Sequence, residues 1–318
     1  MAAHLDQATR AAPLSPPVDP AAARAVIAPL YDDKRLETGE PLLAHADGLY
    51  SIVRGLRDDP DLLAAAYLFG APDVLRDADD WLRSRFGAAV AQLVADLRVL
   101  MRLSQRTRPL SAERGGDAGA QAESLRKMLL ALVNDLRVVL LRLASRLQTL
   151  RYFATSRHPG AEVFARETLA LYAPLANRLG IWQMKWELED LSFRFLEPET
   201  YKRIARQLDE KRVERETFIA TAMQELRRML EEAGISGEVS GRPKHLFSIW
   251  KKMQGKGVDL GSIYDLRALR VIVGDVRDCY AALSCVHARW RAVPDQFDDY
   301  IAKPKANGYQ SLHTVVLD

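Results

Sequence analysis

The sequence predicts a multidomain α and α+β protein, with an all-helical part over about residues 25–232 and a mixed-sheet domain over 233–318. Three observations predict it. From about Ala21 to Leu230, apolar residues recur three and four apart, the period of helices that bury one face. Gly and Pro fall mainly between those segments. At Ala233-Gly234 the pattern changes to short apolar runs alternating with helical stretches, the signature of a layered sheet domain.

Taken in order, residues 1–24 are Ala- and Pro-rich (Pro13, Pro16, Pro17, Pro20) and are expected to form a disordered leader. Asp61 is placed to cap a helix over 62–69, and Asp77 one containing 81–85; residues 88–103 repeat the pattern. Residues 104–120, with Pro109, Gly115, Gly116 and Gly119 among charges, read as an exposed loop. A long amphipathic helix is expected over 122–153, with Leu129, Leu132, Leu136, Leu140, Leu143 and Leu147 along one stripe. His158-Pro159-Gly160 then breaks the chain, separating 25–158 from a helical connector over 159–232. That connector holds a helix over 161–176 and a charged one around 202–228. In the last part, strands are expected at 235–241, 265–273 and 311–317, and helices at 244–254 and 278–291.

Composition excludes several classes. Apolar residues at 48% and charged residues at 27% match globular usage and exclude low-complexity scaffolds. A net charge of +3 argues against a protein that packages DNA, although a local basic patch can still bind anions. Two cysteines are too few for a disulfide scaffold and fit a reducing cytosol. The first residues lack a basic and then apolar signal pattern. The longest apolar region, 128–150, is interrupted by Asp135, Arg137, Arg142 and Arg146, so a cytoplasmic protein with no membrane partner is expected.

Three motifs can carry chemistry. Gly241-Arg242-Pro243-Lys244-His245 ends one strand and opens a helix. With Lys251, Lys252 and Lys256 it concentrates positive charge where helix-start N–H groups also point, a setting suited to polyphosphate. A solvated basic helix face has the same composition. Tyr264-Asp265-Leu266-Arg267, with Arg270 further on, sets charges into an apolar strand. An acid beside a phosphate cradle can hold Mg²⁺, which takes one or two carboxylates plus substrate phosphates; a surface Asp–Arg pair is the other reading. Lys303-Pro304-Lys305-Ala306-Asn307-Gly308-Tyr309 and His313 combine lysines, an amide and a stacking ring, the parts of a nucleotide site, on what could also be an ordinary hairpin loop.

Together, GRPKH, YDLRALRVIV and FDDYIAKPKANGYQSLHT resemble the RelA/SpoT long alarmone synthetases, and the likeness covers most of the chain from about Ala21. The resemblance implies an HD-type hydrolase domain over 25–158, the connector over 159–232 and a nucleotidyltransferase-like synthetase domain over 233–318. It implies a GTP diphosphokinase that moves pyrophosphate from ATP to the 3′-hydroxyl of GDP or GTP, giving (p)ppGpp. Asp265 would be the catalytic acid and hold Mg²⁺. Arg242, Lys244, Lys251 and Arg270 would serve ATP, and Lys305, Asn307, Tyr309 and His313 the guanine nucleotide, with Tyr309 stacking on the base.

The departures carry their own expectations. An active HD hydrolase holds a metal with a His, an adjacent His-Asp pair and a later Asp. His45 matches the first, but the pair falls on Phe69-Gly70 and the later Asp on Ser145, so a degenerate hydrolase of the monofunctional RelA type is expected, with His45 a leftover helix residue. The acidic run Asp295-Gln296-Phe297-Asp298-Asp299 resembles the same type. The family's second catalytic acid sits on a strand just after 311–317, so the synthetase domain is expected to be truncated, and ribosome contacts to lie downstream. The alternative is a catalytically incomplete fragment that only binds nucleotide or RNA for regulation.

Overall fold

The computed structural model describes residues 18–112, 135–156, 158–210, 212–243, 245–257, 267–305 and 308–317. The chain divides into two compact units, the first running through Leu175 and the second starting at Ala176.

The first unit is helical. Helix α1 (Pro20–Tyr31) starts inside the stretch read as leader. Asp19 accepts a hydrogen bond from the Ala21 N–H at 2.9 Å and Pro20 occupies the first helical position, where a missing N–H costs nothing. Helices α2 (Leu42–Arg54), α3 (Pro60–Leu68), α4 (Ala71–Val74) and α5 (Ala78–Ala112) follow, α5 being kinked into two helical segments at Gly87, whose φ is +87°. The cap of α3 is Asp59 rather than Asp61: its side chain accepts from Leu62 N–H at 3.1 Å, ahead of Pro60. Every residue from Leu62 to Leu68 is buried, so α3 is the central rod against which α1, α2 and α5 pack.

Two expectations change here. Helix α5 continues to Ala112, through part of the predicted loop, because extending a formed helix adds one bond per residue while the glycines that would stop it come later. Residues 113–134, with the rest of that loop and the start of the long helix, lie outside the described residues. Helix α6 (Leu136–Ser156) begins at Asp135, which breaks the expected continuous helix. Its carboxylate accepts the Arg137 N–H at 2.9 Å, the bond of a helix-start residue. Helix α7 (Ala161–Glu167) passes through a π-helical turn (Thr168–Tyr172) into α8 (Ala173–Arg178). Arg146 of α6 is fully buried against this segment: it donates to Thr168 Oγ1, the Phe164 carbonyl and Glu167 Oε2 at 2.9, 2.6 and 2.9 Å. Burial pushes its guanidinium down to about 10.

In the second unit the connector supplies α9 (Trp182–Leu196), α10 (Pro198–Glu210) and α11 (Arg212–Glu232). The charged stretch around 202–228 is thus divided between α10 and α11. Strand β1 (Gly237–Pro243), helix α12 (Leu246–Lys256), strand β2 (Arg267–Val273), helix α13 (Val276–Arg289) and strands β3 (Arg291–Asp299) and β4 (Leu312–Leu317) complete it. Among the described residues the sheet content is two antiparallel pairs, β1–β2 and β3–β4. Strand β3 had no counterpart in the sequence pattern: it carries Pro294, and its register slips between Ala292 and Phe297.

Two apolar clusters hold the second unit together. One joins Leu226 and Leu230 of α11 to Val239 of β1, Ala282 of α13 and Trp290. The other joins Phe193 of α9, Ile204 of α10 and Ile249 of α12. Gly241 is needed for the first packing, since a Cβ there would meet Ile219 Cγ2 of α11 at 2.8 Å. No described helix is long and apolar enough to cross a membrane.

Candidate functional site

In the first unit the hydrolase-like positions converge. His45 of α2 and Ser145 of α6 meet, and Phe69, just after α3, sets its ring 5.1 Å from the imidazole. Glu40, ahead of α2, is the member that sequence reasoning missed. Its Oε2 lies 2.7 Å from His45 Nδ1, while His45 Nε2 lies 3.0 Å from Ser145 Oγ. A carboxylate accepts, so Nδ1 donates to Glu40, and on a neutral ring Nε2 accepts from the serine hydroxyl. Gln148 donates to Glu40 Oε1 at 2.8 Å and Thr149 to Oε2 at 3.4 Å. His45 is therefore more than a leftover: it is the centre of a buried network.

The order Ser–His–Glu is also that of a hydrolytic triad. Ser145, His45 and Glu40 are only 3%, 1% and 1% exposed, so a substrate carbonyl has no route to the hydroxyl. Gly70 lies under Leu42 and Tyr31; a Cβ there would meet Leu42 Cδ1 at 2.9 Å. Both imidazole nitrogens are engaged, and among the described residues no group of three or more His, Cys, Asp or Glu could hold a metal ion.

In the second unit the β1–β2 register brings two motifs together. Arg242 lies opposite Ala268 and Pro243 opposite Arg267, so the end of GRPK and the start of the next strand are neighbours. Lys244 and Asp265 lie outside the described residues, as does Asn307. Arg270 stands exposed on β2, opposite Ser240. Lys251 is exposed on α12 and lines a shallow cleft with Lys252, Phe247, Ser248, Lys185 and Glu189. Lys185 pairs with Glu189 at 2.6 Å across one turn of α9.

The third motif forms a compact aromatic group. Gly308, at φ +75°, donates its N–H to the Lys305 carbonyl at 2.8 Å, and the Lys305 N–H reaches the Tyr309 carbonyl at 3.3 Å. Tyr309 Oη and His313 Nε2 are 2.9 Å apart. The Lys305 ammonium sits 4.0 Å from the Tyr300 ring centre and 5.7 Å from that of Tyr309. Across the β3–β4 pair, Asp298 faces His313. Asp299 accepts N–H bonds from Ala302 and Ile301 and the Tyr280 hydroxyl, and the Ala302 bond first of all holds its carboxyl below its ordinary value.

Sequence reasoning also missed what stands behind these loops. Trp182 of α9 contacts Tyr309 edge-on at 6.0 Å, and Trp186 stacks on His245 at 4.6 Å. Asp190 accepts the Phe247 N–H at 2.8 Å. The helical period of the segment was the only signal, and it names no partner.

Comparison with known proteins gives two family matches: an HD domain over residues 23–182, and the region found in RelA / SpoT proteins over 241–318. The chain is 42% identical over 281 residues to a GTP pyrophosphokinase of Photobacterium angustum, covering 88% of this chain and 37% of that protein. It is 44% identical over 273 residues to a GTP pyrophosphokinase of Escherichia coli, covering 85% and 36%. It is 41% identical over 292 residues to a Synechocystis protein named probable guanosine-3′,5′-bis(diphosphate) 3′-pyrophosphohydrolase, covering 91% and 37%. The chain thus spans little more than a third of the length of these curated relatives.

Proposed function

The chain belongs to the RelA/SpoT family, and from that premise we propose that it carries the synthetase site of a GTP diphosphokinase and a hydrolase-like domain without hydrolase chemistry. The 3′-hydroxyl oxygen of GDP or GTP bonds to the β-phosphorus of ATP, the bond to the α-phosphate oxygen breaks, and AMP leaves. Little covalent work falls to the protein in such a transfer, so placement and charge dominate. Arg242, Lys244, Lys251 and Arg270 gather the ATP phosphates. Lys305, Asn307, Tyr309 and His313 take the guanine nucleotide.

A carboxylate near the phosphate cradle is the donor type Mg²⁺ uses, and Asp265 stands two residues before Arg267, whose strand partner is Pro243. Bound there with the ATP phosphates, the ion would offset their charge. Residues 25–158 are the degenerate hydrolase domain, 159–232 the connector and 233–318 the synthetase domain of a soluble, cytoplasmic protein.

The observation that supports the synthetase reading is the convergence in one unit of the GRPK strand end, the basic cleft and the Lys305–Tyr309–His313 group. The monofunctional, RelA-type reading is supported by the Glu40–His45–Ser145 network, which occupies both nitrogens of the one remaining hydrolase-type histidine. The test is a synthesis assay with ATP, Mg²⁺ and labelled GDP, with titration of both nucleotides. Binding of neither would sink the synthetase reading. Release of pyrophosphate from ppGpp in the presence of Mn²⁺ would overturn the second.

A further inference from the structure

We propose that Trp182 is a positioning residue for the guanine-nucleotide loop, mounted on a connector helix that also seats the opening of α12; this rests on the nucleotide reading above. Trp182, Trp186 and Asp190 stand four residues apart on α9, so they form one stripe along its length. Together they touch two parts of the proposed site, the Tyr309 loop and the opening of α12. The Trp182 ring meets Tyr309 at 6.0 Å and 66°. The Trp186 ring is 6.5 Å from Trp182 and lies on His245 at 4.6 Å and 19°. Asp190 Oδ2 is 3.2 Å from His245 Nδ1, and its Oδ1 accepts from Phe247 N–H at 2.8 Å. One turn on, Phe193 is buried with Ile249 and against Trp250, which fixes the stripe to the core.

The segment of Tyr309 is not part of a strand, and β4 begins only at Leu312. The Tyr309 ring contacts Tyr300 at 6.3 Å, His313 at 5.9 Å and Trp182 at 6.0 Å, and its hydroxyl lies 2.9 Å from His313 Nε2. Tyr300 and His313 belong to the same hairpin as Tyr309, joined by the Tyr300 N–H to Ser311 carbonyl bond at 2.9 Å. Trp182 comes from a different element, α9, and its ring contact ties the hairpin end to that helix. A stacking ring that is already held loses less freedom when a base arrives, which favours binding.

The test uses the full 318-residue chain with Trp182→Ala, Trp182→Phe, Tyr309→Ala and the Trp182→Ala/Tyr309→Ala double variant. Without nucleotide, Trp182→Ala is expected to speed amide exchange over residues 308–313 while β1 and β2 stay protected, and Trp182→Phe to restore it. In calorimetry, Trp182→Ala should raise the Kd for GDP about three- to tenfold, the scale of one aromatic pair, and leave that for ATP within about twofold. The double variant should be little weaker than Tyr309→Ala alone. Unchanged exchange over 308–313 overturns the positioning role whatever the nucleotide data show. So does an additive double variant. A wild-type chain that binds no GDP removes the nucleotide reading, and the exchange result still decides what Trp182 does.

Discussion

At the scale of single residues, His45 shows how a buried imidazole is satisfied by its neighbours. A buried imidazole needs partners for two nitrogens. Glu40 and Ser145 supply them, and Gln148 and Thr149 take remaining carboxylate lone pairs. His45→Ala would leave a cavity and a buried carboxylate with one partner fewer. The expected loss in the first unit is roughly 2–4 kcal/mol, read from the urea midpoint followed at the first unit. Gly48 gives a finer probe. Its missing Cβ would sit 2.2 Å from the Gln148 side chain, so Gly48→Ala drives that amide away from Glu40. We expect a loss of about 1–3 kcal/mol from the unmade hydrogen bond, partly recovered when Gln148 is also shortened to Ala. A double variant that shows no recovery would mean the amide was not the group displaced. His45 itself could be singled out in the sequence, but Glu40 could not: it precedes α2 in irregular backbone, and an isolated acid there has no pattern.

At the scale of elements, α12 starts without a side-chain cap of its own. His245 precedes it and makes no capping bond. The acceptor comes from another helix, where Asp190 takes the Phe247 N–H. Asp190→Ala should therefore fray the first turn of α12 and cost about 1 kcal/mol, the usual worth of an N-cap, with weaker ATP binding measured in parallel. Asp135 does the corresponding work for α6 and gives a pH signature. The Arg137 guanidinium beside it, first of all, holds its carboxyl below the usual carboxylate range. The folded state thus releases this proton more readily than the unfolded chain. Its contribution is present above the unfolded value, near 4, and is lost as pH falls through the lower folded one. Asp135→Asn should flatten the acid limb of a stability-versus-pH curve; an unchanged limb would assign that slope to other carboxylates.

The same elements show what periodicity can and cannot convey. Helices with one buried face, such as α2, announce themselves, and the switch to strands after Ala233 is visible as a change of period. Strand β3 hides because Pro294, Asp295, Gln296, Asp298 and Asp299 leave it little apolar alternation, and Asp295 takes φ +60° at the slip in register. The contacts of α9 with residues 245, 247 and 309 hide for another reason. Amphipathic spacing tells which face is inward and nothing about which distant loop meets it.

At the scale of the whole molecule, the His45 network and the residues proposed to bind nucleotide fall in different units. The His45 network belongs entirely to the first, and the described residues proposed to bind ATP and guanine nucleotide belong to the second. If the first unit keeps the hydrolase-like fold without its donors, nucleotide should stabilise only one part of the chain. A ligand that binds the folded state slows the openings of the elements it contacts, in proportion to occupancy. With GDP, Mg²⁺ and a non-hydrolysable ATP analogue at about a hundred times their Kd, protection is expected to rise by about 2.7 kcal/mol for each nucleotide that an opening releases. It should appear over β1, α12 and residues 300–313 and be absent over α2 and α6. Protection of α2 and α6 at the same concentrations would mean that the buried Glu40–His45–Ser145 network, closed as it is to solvent, still responds to nucleotide. The chemistry would then have to be sought in motion of the first unit and not in its donor set.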